Sequence, residues 1–291
     1  MKSKYGDPRT LTFSQTYGYE EMPQRLKLGE LSGVARTKIW DVLFVRIKRE
    51  WTSMRFTDRH WENILRAVHL DLDNLPLDQW DYERCAERLR QSIMTWPFNK
   101  VFDLVQFILR HPQCPADLVK EMKGAFEMGM VAYVIHDNGT PTIFPASTVE
   151  EGRSLNESLH TLQQGGLSAA EDLFRKAASA INRGDWTGSI DSSISAAESV
   201  ARKLYPKTKT FGDALKKLRR ESPFWPPQLV QAMQNFWNYT NQKDAGIRHG
   251  SPEPTDTNVG QEEALFMLGA CASISGYLWR KNNSADSNEG T

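Results

Sequence analysis

The sequence has little of what usually betrays a function early. Its three cysteines, Cys85, Cys114 and Cys271, are odd in number and far apart. They form neither a zinc-ligand spacing nor a disulfide framework, and so point to a reducing compartment. It lacks a charge excess, since 36 Lys and Arg balance 36 Asp and Glu. A global attraction to nucleic acid is thereby excluded, and any such attraction must be local. No apolar run approaches the roughly 20 residues of a membrane span, and the polar start at residues 1–9 carries no apolar signal region. These absences predict a cytoplasmic protein with no membrane association.

Chemical signatures are also sparse. There is no Gly-rich phosphate loop of the Walker type and no dinucleotide fingerprint, so no cofactor is expected. His60 and His69 lie on opposite faces of a helical stretch and cannot share a metal. His111, His136 and His160 stand apart from any metal-type grouping, which predicts no metal and mostly surface or capping histidines. Ser193 and Ser195 fall inside a helical pattern rather than on a strand-to-helix elbow, against a hydrolase serine.

What is present is an ordinary globular composition, 40% hydrophobic and 25% charged, in a chain of 291 residues. At about 150 residues per domain, that length suggests two domains. Nine tryptophans read mostly as core. Residues 5–27 are polar and aromatic without a clean period, as in an extended arm packed on the first domain. From Leu31 a helical stripe runs through Val34, Ile39, Trp40, Leu43, Ile47 and Trp51. Thr57 or Asp58 can cap the next helix, with Trp61, Ile64, Leu65 and Val68 inward. Further helices fit 81–96, 99–110 and 115–130. The period then shortens: residues 131–135 and 142–144 are β-rich around the turn Asp137-Asn138-Gly139-Thr140, which predicts a small hairpin.

Helical signals resume with two capping-box patterns, Thr148 to Glu151 and Ser168 to Glu171, separated by Gly165-Gly166. Helices are predicted over 167–182, 186–205, 211–220, from Pro226-Pro227 onward with Leu229, Val230, Met233, Phe236 and Trp237 inward, and over 262–280. The last is rich in small residues that permit close helix contact. The fold class is thus mainly α, with an N-terminal helical domain ending in a hairpin (1–148), a C-terminal helical bundle (149–281) and a polar, disordered tail (282–291).

The segment most suggestive of chemistry is Gly246-Ile247-Arg248-His249-Gly250. Arginine offers a planar fork of donors to phosphate, and histidine can move protons near neutral pH. Together they suffice for metal-free cleavage of an RNA phosphodiester: the histidine handles the proton at the 2′-hydroxyl or leaving oxygen, and the arginine stabilises charge on the phosphate. The plainer reading is an Arg-His pair that caps a helix or bridges subunits. Glu198, on the long helix, is a third candidate that could orient a histidine or pair with Arg248. A locally basic stretch includes Lys209, Lys216, Lys217, Arg219 and Arg220. It reads either as a phosphate-contacting rim or as a solvated helix face.

These residues carry a resemblance. Ser189 to Arg202, Thr210 to Leu218, Gly246 to Gly250 and the small-residue helix from Glu262 together resemble a HEPN domain. Thr12 to Tyr19, Arg36 to Phe44 and the hairpin Tyr133 to Phe144 resemble the AbiJ-type N-terminal domain of bacterial abortive-infection proteins. The resemblance implies phage defence, RNA as substrate or ligand, a homodimer with a composite site, and a protein partner or phage trigger at the N-terminal domain. The HEPN pattern places a polar residue directly after an arginine and a histidine a few residues further on. Arg248 and His249 match the first two positions, but Gly250-Ser251-Pro252-Glu253-Pro254-Thr255 contains no histidine. Three outcomes stay open: His249 substitutes for the missing residue, the domain binds RNA without cutting it, or the loop is structural.

Overall fold

A computed structural model describes residues 13–17, 19, 25–52, 59–137, 139–221, 224–241 and 259–286. Among these residues the fold is mainly α. The helices of the first part are α1 (Phe13–Thr16), α2 (Gly33–Thr52), α3 (His60–Ala67), α4 (Tyr82–Thr95), α5 (Phe98–Arg110) and α6 (Leu118–Met128). A hairpin of β1 (Tyr133–His136) and β2 (Thr142–Pro145) follows. The second part holds α7 (Val149–Gln164), α8 (Ser168–Asn182), α9 (Trp186–Leu204), α10 (Phe211–Arg220), α11 (Pro227–Thr240) and α12 (Gln261–Asp286).

The first core is built on α2, whose Ala35, Ile39, Leu43 and Ile47 recur every fourth residue and are buried. Arg46 leaves the solvent side of that helix and forks to Asp117 and Glu121, each at 2.5 Å, tying α2 to α6. The amides of Trp61 and Glu62 at the start of α3 both donate, at 2.9 Å, to the Glu50 carboxylate. A side chain from α2 thus satisfies orphan donors that local caps usually serve. Helix α3 then widens into a π-helical turn, Val68–Leu72, which turns His69 into the core.

The hairpin pairs antiparallel, with Tyr133 opposite Pro145 and His136 opposite Thr142. Gly139 supplies the positive φ (+83°) of its turn. Two strands alone are marginal; here both sides are covered. Tyr133, Ile135 and Ile143 belong to the first core, while Phe144 and Val134 pack with the second. The N-terminal segment is tied down at the same place: the Leu26 amide donates to Met130 O at 2.8 Å and the Arg25 guanidinium to Ala146 O at 3.1 Å.

Beyond the hairpin, α7 opens with a complete capping box between Thr148 and Glu151. Helices α7, α8, α9 and α12 pack on one another as a bundle, with α10 and α11 against α9. Gly276 brings α12 close to α7, since a Cβ there would lie 3.3 Å from Ser158 Cα. The second core runs from Phe144 to Leu278.

Several sequence expectations need correction. Val34 is exposed, because the stripe of α2 rotates onto Ala35 instead. Leu229 is exposed at the first turn of α11, while Val230 and Met233 are buried and Phe236 and Trp237 pack partly buried against the core. Ser168 does not cap α8: it is the first helical residue, and Leu167 holds the cap position without a side-chain bond. The predicted tail begins too early, since residues 282–286 continue α12. They contain no Gly or Pro to stop a helix, and Asn and Ser cost it only about 0.5 kcal/mol each. Not all histidines are superficial, for His69 and His136 are buried. Thr57 and Asp58, the side chain of Trp51 and most of the N-terminal arm lie outside the described residues.

Candidate functional site

Helix α9 positions the site. It starts at Asp185, whose carboxylate accepts the Gly188 amide at 2.9 Å, and its Ile190, Ile194, Ala197 and Ala201 are locked in the core. A different stripe of the same helix is charged, with Asp191, Ser195 and Glu198 half-exposed and Arg202 exposed, spaced four, three and four residues apart so that they share a face. This stripe lines a cavity of about 840 Å³. The opposite wall is the turn into α8, Gly166 to Ala169, with Leu173, Lys203 and Pro206 completing the lining. Gly166 adopts φ +64°, which admits the turn, and no atom crowds its cavity side.

The cavity is of ligand-binding size. It offers two carboxylates, the three hydroxyls of Ser168, Ser195 and Ser199, and two cations, enough to orient a polar, partly anionic molecule and to exchange a proton with it. Glu198, singled out from the sequence, is half-buried in this wall. Arg248 and His249 lie outside the described residues, in the connection between α11 and α12.

Four of the basic residues lie on the solvent side of α10, and Lys209 lies just ahead of it. Thr210 caps this helix by accepting the Asp213 amide at 3.1 Å, and Phe211, Ala214, Leu215 and Leu218 are buried. That leaves Lys216, Lys217, Arg219 and Arg220 exposed, with Lys209 exposed just ahead. Lys216 lies 3.7 Å from Asp213, Arg219 donates to Gln231 at 3.3 Å, and the Lys217 ammonium sits 4.7 Å over the Tyr205 ring.

Sequence reasoning missed the cavity itself, whose α8 wall carries no recognisable motif. It also missed a polar cluster in the first part. There Arg88, His69 and Asp73 meet beside a second cavity of about 480 Å³, lined by Leu72, Leu75, Gln91 and Trp96 among others. Among the described residues, no three His, Cys, Asp or Glu side chains converge as metal ligands would. The described cysteines are free, and burial pushes the Cys85 and Cys114 thiols up to about 11, away from nucleophilic use. No described helix is long and apolar enough to cross a membrane.

Fold and site together define a mainly helical protein whose hairpin separates a first helical core from a bundle with a charged cavity. Residues 11–161 match the family described as AbiJ N-terminal domain 4. The match covers more than half of the chain, and the chain belongs to this family, which ties it to abortive infection and phage defence. The match ends inside α7, so the hairpin is within it and the cavity on α9 lies beyond it. No curated protein and no solved structure matches the chain.

Proposed function

We propose that this is an abortive-infection effector in which the part up to residue 148 receives a phage trigger or protein partner and the bundle from 149 to 281 acts on RNA. The observation that carries the RNA reading is the α9 cavity: it combines carboxylates and cations in one ligand-sized space, in a bundle whose α10 also presents a basic outer face. In this reading the bundle is HEPN-like and works as a homodimer, so that a two-fold axis doubles a sparse site. Arg248 stabilises charge on the scissile phosphate, His249 moves the proton at the 2′-hydroxyl or leaving oxygen, and Glu198 orients the imidazole. Lys209, Lys216, Lys217, Arg219 and Arg220 hold the flanking phosphates.

The test is an RNase assay on transfer RNA and single-stranded RNA with EDTA present. Wild type should cleave, and Arg248→Ala and His249→Ala should each lose about a hundredfold or more. Cleavage unchanged in both variants would remove the loop from catalysis.

A second reading is a non-catalytic RNA- or protein-binding module. It is favoured by one specific feature: no histidine occurs between Gly250 and Thr255, where the HEPN pattern has one. Binding to RNA that weakens steeply with salt, without cleavage, would support it.

A further inference from the structure

An aromatic cluster adjoins the basic face of α10. Trp225 is fully buried, and Phe224 meets it edge-on at 5.1 Å between ring centroids. Phe224 itself stays 38% exposed, in the turn between α10 and α11. The Lys281 ammonium, from α12, lies 4.6 Å from the Phe224 centroid and 5.8 Å from that of Trp225. On the other flank Tyr205 donates to the Glu221 carboxylate beneath the Lys217 ammonium. Cations of α10 and α12 thus meet rings in the turn before α11 and just beyond α9. The charge here is unbalanced: Lys216, Lys217, Arg219, Arg220 and Lys281 stand against only Asp213 and Glu221.

Part of the arrangement is left open to solvent: Phe224 keeps 38% of its surface exposed despite its contacts with Trp225 and Lys281, and four cations within five residues on α10 repel one another. A single-stranded nucleic acid uses both. Its bases stack on an exposed ring without regard to sequence, and its phosphates pair with flanking ammonium and guanidinium groups. A duplex keeps its bases stacked inside and cannot use the ring.

We propose that Phe224 and Lys281, with the outer face of α10, form a stacking platform for single-stranded RNA, separate from the α9 cavity and feeding the strand towards it. The inference rests on the reading of the bundle as acting on RNA. It adds a preference: single strands over duplex, and oligoadenylate over oligouridylate, because purines offer the larger stacking surface.

The experiment is fluorescence anisotropy of labelled twelve-nucleotide oligo(A), oligo(U) and a duplex, titrated with the full-length chain across salt. Phe224→Ala should weaken oligo(A) binding about tenfold, and Phe224→Trp should restore it. Lys281→Ala, on the helix surface, should lower the salt slope by about one. If wild type binds RNA but the Phe224 and Lys281 variants bind it equally well, the platform is refuted and the RNA reading survives. If wild type binds none of the three probes, both fall. A duplex bound as tightly as oligo(A) would also overturn the stacking proposal.

Discussion

The Arg88 guanidinium donates to Nδ1 of His69 across 2.6 Å, while Nε2 of the same ring lies 2.8 Å from the Pro76 carbonyl. A carbonyl can only accept, so the ring carries its proton on Nε2 and offers its Nδ1 lone pair to the arginine. Asp73 completes the cluster 3.6 Å from Arg88 Nε, and the Trp80 ring stands edge-on to the imidazole at 5.6 Å. Removing the guanidinium leaves a buried acceptor unpaired and a largely buried carboxylate without its countercharge. Arg88→Ala should therefore cost about 1–3 kcal/mol in urea unfolding. Lysine should recover only part of this, because one ammonium cannot reproduce the fork. A loss under about 0.5 kcal/mol, the scale of an ordinary surface change, would show that solvent replaces the contact.

His136 gives the fold a dependence on pH. It is buried between the hairpin and α7, with Nδ1 bonded to Asn156 Oδ1 at 3.1 Å and Nε2 without a partner among the described residues. Burial pushes its pKa from 6.5 down to about 4, against the opposing pull of the Asn156 hydrogen bond. The unfolded chain then binds a proton that the folded chain refuses throughout the window between those values. The contribution of this group is complete above pH 6.5 and is lost as the pH falls towards 4, by up to about tenfold in the unfolding constant per pH unit. Urea unfolding at pH 7.5, 6 and 5 should show the decline, and His136→Gln should flatten it. An equal decline in wild type and variant would place the proton uptake elsewhere.

The two cores were largely legible because they rest on local rules. The spacing of Ile39, Leu43 and Ile47, the Thr148 to Glu151 capping box and the Asn138-Gly139 turn each state their structure within a few residues. What escaped depends on partners distant in sequence. Glu50 caps a helix that starts ten residues later, His69 is turned inward by a π-helical turn, and Phe224 meets Lys281 across 57 positions. The candidate cavity on α9 was legible only at single residues. Glu198 and the α10 cations were chosen for their chemistry, but the cavity exists only because the α8 turn folds over the charged stripe of α9.

Gly165 supports that turn from behind. It ends α7 beneath the Trp279 indole of α12, and a Cβ there would overlap Nε1 and Cε2 of the ring. Its φ of −80° is open to any residue, so the requirement is space rather than backbone freedom. A rigid indole cannot step aside as the end of a long side chain can. Gly165→Ala should destabilise by about 1–3 kcal/mol through overpacking, while Gly165→Ala with Trp279→Leu should regain most of it. Calorimetric melting of wild type, the single variant and the double variant decides this. A single mutant as stable as wild type would mean that α12 shifts at little cost.

Ser195 tests the cavity without disturbing the core. It sits mid-way along the charged stripe of α9, half-exposed, one turn from both Asp191 and Glu198. Serine and phenylalanine have similar helix propensities, so a ring at this position should leave the helix intact. The ring would occupy the space between the two carboxylates and the α8 turn. Ser195→Phe should therefore melt within a few degrees of wild type yet lose the RNA processing proposed above and, in cells challenged with phage, the protection that an abortive-infection role predicts for wild type. Ser195→Ala, which removes only a hydroxyl, should keep both. Full protection and full RNA processing by the phenylalanine variant would show that the cavity on α9 is not where this protein works.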